Sequence, residues 1–123
     1  MGLDEWERKV KEELRELRDL WEEYKEKHIE PAIRELRAQN SEDAIDVAVG
    51  LEDYSYTVRS LFIEVEEELE VEARARERGD EFNAVIAAQR AAEALEMLRI
   101  YAKGWRERLQ GGGTSAEGVM AHG

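Results

Sequence analysis

The chain has 123 residues, 30 acidic and 18 basic, with one proline and no cysteine, and a formal net charge of −12. That length suits one domain, and an apolar share of 42% is too high for a disordered acidic polymer, which cannot offset its conformational entropy by burial. The lack of cysteine excludes a disulfide framework, a thiolate zinc site and a thiol nucleophile, and no apolar run approaches the roughly 18 residues of a membrane span.

The acidity is concentrated in the middle of the chain. Residues 1–40 hold 12 acids and nine bases, residues 41–78 hold 12 and four, and residues 79–110 hold five of each. Such a surface repels nucleic-acid phosphates and anionic lipid, so no direct nucleic-acid or membrane binding is expected. Met1-Gly2-Leu3-Asp4-Glu5 lacks the basic and apolar regions of a leader, and the expected location is cytoplasmic or otherwise intracellular.

Taken in chain order, the spacing predicts three long helices, at about 4–38, 42–78 and 80–110. In the first, Trp6, Val10, Leu14, Leu17, Trp21, Tyr24, His28, Ala32 and Leu36 recur every three or four residues and share one face. Glu5/Lys9 and Glu7/Lys11 support it at i,i+4. Pro31 interrupts the pattern, and because the apolar spacing carries through it, a bend around 27–31 is expected rather than two helices. Asn40 and Ser41 read as a helix end and the cap of the next helix.

The second helix carries the stripe Ile45, Ala48, Leu51, Tyr54 or Ser55, Val58, Phe62, Val65, Leu69 and Ala73. Gly50 inside it costs about 1 kcal/mol relative to alanine and suggests a close approach or a bend. Residues 63–65 and 69–75 alternate as a strand would, but no other segment offers a pairing partner or hairpin chemistry. Read as helix, the alternation turns Tyr56, Ile63 and Val71 away from the stripe, toward a partner. Arg78-Gly79-Asp80 then pairs a left-handed helix end with a new cap.

In the third helix Ala84, Ala88, Ala91, Leu95, Leu98, Ala102, Trp105 and Leu109 follow heptad steps, and Val85, Ile86, Ala92, Ala94, Met97, Ile100 and Tyr101 widen the apolar arc. Small residues in its first half permit close backbone approach. The fold expected is all-α: an elongated up-down-up three-helix bundle over 1–110, with coiled-coil-like helices and a short flexible glycine-rich tail over 111–123.

Among residues that could carry chemistry, His28 lies on the apolar stripe, level with Gly50–Asp53 and Lys103–Trp105 in an antiparallel layout. It could line a cofactor cavity framed by Gly50 and Gly104, or sit bonded to Asp53, Tyr54 or a carbonyl freed by the proline. No second histidine at ligand spacing accompanies it, so no metal and no cofactor is expected. The acids Glu64, Glu66, Glu67, Glu68, Glu70 and Glu72 read as a solvated face. Trp6, Trp21, Tyr24, Tyr54, Tyr101 and Trp105 read as core filling. Gly79-Asp80-Glu81-Phe82-Asn83-Ala84 is similar to the death-motif helix of pro-apoptotic regulators, but Ala75 and Arg78 stand where that family has large apolar residues, and no function follows.

No phosphate-binding loop, nucleophile elbow or dinucleotide fingerprint occurs, and the chain is not expected to be an enzyme. The expected function is a structural or assembly protein acting through helix–helix contacts with a protein partner, itself or other subunits, with a phage or virion component as one home. Tyr56, Ile63, Val71, Ile100, Val119 and Met120 are the candidate contacts. The alternatives are a designed bundle holding a small ligand such as haem beside His28, and an acidic inhibitor imitating nucleic acid.

Overall fold

The computed structural model describes residues 2–111, and among these the protein is a three-helix bundle without strands. The first rod comprises α1 (Leu3–Tyr24), a π-turn (Lys25–Ile29) and α2 (Glu30–Gln39). The second is α3 (Glu42–Glu77) and the third α4 (Glu81–Gln110). At 1.5 Å per residue α3 is about 54 Å long. Arg99 meets Glu13 and Arg108 meets Tyr24, so α1 and α4 run parallel. Trp105 meets Tyr54 and Arg76 meets Glu7, which sets α3 antiparallel to both.

The helix ends follow their sequence signals. Asn40 takes the left-handed conformation at φ 52°, and Ser41 Oγ accepts the Ala44 N–H at 3.2 Å. Gly79 sits at φ +74°, where its N–H bonds the Arg76 carbonyl and the Asp80 N–H reaches back to Ala75. That pair of bonds is a Schellman closure, and it accounts for the glycine fully. Asp80 Oδ1 then accepts the Asn83 N–H at 3.1 Å to open α4.

The irregularity expected at 27–31 takes the form of a π-turn rather than a division into two helices. Pro31 has no N–H for the Lys27 carbonyl, and its ring would press on that carbonyl in an α-turn. The turn ahead of it widens, so that Glu30 N–H bonds the Lys25 carbonyl five residues back. The extra residue brings Ile29 into the core beside His28, a burial the three-and-four spacing did not anticipate.

The core runs along the axis through Val10, Leu14, Leu17, Val58, Val65, Leu95 and Leu98. Two details depart from the expected stripes. On α3 the heptad steps Val58, Phe62, Val65, Leu69 continue to Glu72 and Ala75, leaving Ala73 half-buried. Glu72 is therefore fully buried instead of solvated, and Arg76 Nε pairs with it at 3.0 Å while also reaching Asp4 and Glu7. On α4 the buried set includes Ala84, Ala87, Ala91 and Ala94, and these small side chains let α3 and α4 pack as the closest pair.

That intimacy decides where α1 goes. The first half of the rod rests on α4 and the half beyond the π-turn rests on α3, while the α1 and α3 backbones stay apart and meet through long side chains such as Arg18 and Arg76. No helix among the described residues is long and apolar enough to cross a membrane.

Candidate functional site

Two places combine residues singled out in the sequence: the aromatic layer around His28, and the seam between α1 and α3. In the first, Trp21 lies 5.0 Å from Trp105 and 6.0 Å from Tyr54, and Tyr54 lies 5.5 Å from Tyr101, centroid to centroid. Tyr54 accepts the Trp105 Nε1–H at 2.8 Å, which gives both buried polar tips a partner. Arg108 donates to Tyr24 Oη and holds its guanidinium 5.9 Å from the ring centre. Burial pushes the Tyr54 phenol above its ordinary value.

His28 is buried against this layer, stacked on Tyr24 with centroids 5.2 Å apart. It makes no hydrogen bond to Asp53 or Tyr54; the π-turn and the stack hold it instead. Burial holds its imidazole below the usual value, and the nearby Arg108 and Lys27 charges act in the same direction. Gly50 is exposed and Gly104 half-buried, a Cβ built on either meets open space, and neither lines the seam between α1 and α3 with His28. Among the described residues no group of three or more His, Asp or Glu side chains could hold a metal ion.

The seam is the larger feature. Because α1 leans on α4, a groove opens along α3 in two stretches, of about 640 and 750 Å³, that share Arg18. Arg18 pairs with Glu66 and lies 5.2 Å from the Phe62 ring centre, so it bridges the groove midway. Leu14, Leu69 and Ala73 line one stretch; Trp21, Ile33, Tyr56 and Ile63 line the other. Further along, Arg37 of α2 pairs with Glu52.

Tyr56 is 71% exposed, Ile63 42%, Val71 44% and Ile100 57%. Tyr56, Ile63 and Val71 lie on α3 and Ile100 on α4, so the structure does not gather them into one patch. Val119 and Met120 lie outside the described residues. Sequence reading passed over Val49, also exposed, although it stands seven residues before Tyr56, which stands seven before Ile63. Such spacing keeps side chains on one narrow stripe, drifting about 20° per step. Tyr56 and Ile63 of this stripe line the groove. Val85 and Met97, from the apolar arc of α4, are exposed as well, and so is Phe82, which the sequence reading did not place among the contacts.

Comparison with protein-family models, curated proteins and solved structures gives no match.

Proposed function

We propose that this chain is a non-catalytic assembly protein that binds a protein partner through helix–helix contacts on α3. The observation that carries the reading is the heptad Val49, Tyr56 and Ile63, exposed on α3 while the core is complete without them, with Tyr56 and Ile63 lining an open groove. Scattered exposed apolar side chains are ordinary on a monomer, but a heptad row is what a packed helix uses. The buried polar side chains support a non-catalytic role, since His28 is taken up by stacking and Glu72 by Arg76.

The test is site-specific photocrosslinking in the native source, with a benzophenone side chain at position 63 and, as control, at Glu16, an exposed position on α1. A discrete adduct at 63 and none at 16 is expected. Monomer alone at both positions would overturn the reading.

A further inference from the structure

We propose that the occupant of the Val49–Tyr56–Ile63 stripe is a basic amphipathic helix of another protein, an assignment that rests on the assembly role above. The stripe together with Val71 extends about 33 Å along α3, the length of a helix of six turns. A fourth rod laid there would set one edge into the groove that α1 leaves open, against Tyr56 and Ile63.

The charge around the stripe selects the partner. Residues 41–78 hold 12 acids and four bases. Several acids are already answered within the fold: Glu66 by Arg18, Glu52 by Arg37, Glu70 by Arg74 and Glu72 by Arg76. Asp53, Glu64 and Glu67 border the stripe and have no ion pair among the described residues; Arg59, which lines the groove with Tyr56 and Ile63, has none either, so the unanswered charge is three carboxylates against one guanidinium. Apolar residues in a row, flanked by carboxylates, match a helix with apolar a and d positions and arginine or lysine at e and g. A second copy of the chain would bring the same carboxylates face to face, which disfavours self-pairing across this surface.

The test titrates the full chain against a labelled peptide of three heptads, with leucine at a and d and arginine at e and g. Its comparators are the same peptide with glutamate at e and g, and an oligoarginine of equal charge without leucine. Fluorescence anisotropy should show binding by the arginine–leucine peptide alone, weakening at least about tenfold between 50 and 500 mM salt. The double variant Tyr56→Ser/Ile63→Ser and the double variant Glu64→Gln/Glu67→Gln should each weaken it by about tenfold or more. Ile100→Ser, on α4 and outside the groove, should leave it unchanged. All these side chains are exposed, and circular dichroism verifies the fold of each variant. Oligoarginine binding as tightly as the amphipathic peptide would overturn the assignment and point to charge imitation of nucleic acid. It is equally overturned by unchanged binding in either double variant, by loss in Ile100→Ser, or by no binding of the arginine–leucine peptide. A crosslink at position 63 without peptide binding would leave the assembly role standing and remove only the basic helix.

Discussion

Replacing Gly50 and Gly104 with alanine should stabilise the fold by about 2 kcal/mol. Each glycine sits inside a long helix, where it costs about 0.8–1.0 kcal/mol relative to alanine because it surrenders more backbone freedom on folding. That gain is usually cancelled when the new methyl group collides with something. Here a Cβ at either position meets nothing within 4 Å, so the propensity term stands alone. An unfolding entropy of about 2.1 cal/mol/K per residue gives about 0.26 kcal/mol/K for this chain, and 2 kcal/mol then raises Tm by about 8 °C. Urea unfolding followed at 222 nm should move the midpoint upward with an unchanged slope. Gly79→Ala is the internal control: at φ +74° a side chain is strained, and this variant should lose about 1–2 kcal/mol. A lower midpoint for Gly50→Ala or Gly104→Ala would refute the reasoning, because it would mean the space beside that helix is filled.

Glu72→Ala should cost about 1–2 kcal/mol, less than breaking a fully buried ion pair, because the remaining Arg76 is partly exposed and keeps Asp4 and Glu7; Glu72→Gln, which keeps an acceptor, should lose less than half of that in the same urea assay. Ser41→Ala should cost about 1 kcal/mol through the lost bond to the Ala44 N–H, whereas Ser60→Ala, exposed in mid-helix, should lie within about 0.5 kcal/mol of the parent. For His28 the folded pKa lies below the unfolded value of about 6.5, so the unfolded chain binds the extra proton. Stability is then level above pH 6.5 and falls as pH drops from 6.5 toward the folded pKa. Midpoints measured from pH 7.5 to 5.0 should show that decline in the parent and a smaller one in His28→Phe; equal slopes would show that His28 does not titrate abnormally.

The bundle and its turns were legible because each rests on local rules. Ser41, Gly79 and Asp80 announce helix ends whatever the rest of the chain does, and the three-and-four spacing of Leu14, Leu17, Trp21 and Tyr24 fixes a buried face. Glu72 was misread because a carboxylate in an acidic run looks solvated. Only the continued heptad from Val58 to Leu69, with Arg76 four residues on, could have placed it inside. The groove was not legible at all, since it depends on the spacing between α1 and α3, which no local pattern encodes. The outward turn of Tyr56 and Ile63 was readable from the alternation, and Val49 would have joined them had the seven-residue spacing been followed backward. His28 was expected to be held by a hydrogen bond or to line a cavity, but the π-turn gives it a tyrosine to lie on, a geometry that residue spacing does not encode.

The π-turn also changes what a single rod can do. The wide turn absorbs one surplus residue, about 100° of α-helical rotation, so Ile29 and Ala32 return to the flank that Leu17 and Trp21 present inward. The joint works as a phase correction: it keeps one continuous cylinder facing the core on both sides of the proline. Deleting one residue between Lys25 and Ile29 would let an ordinary turn carry the same phase.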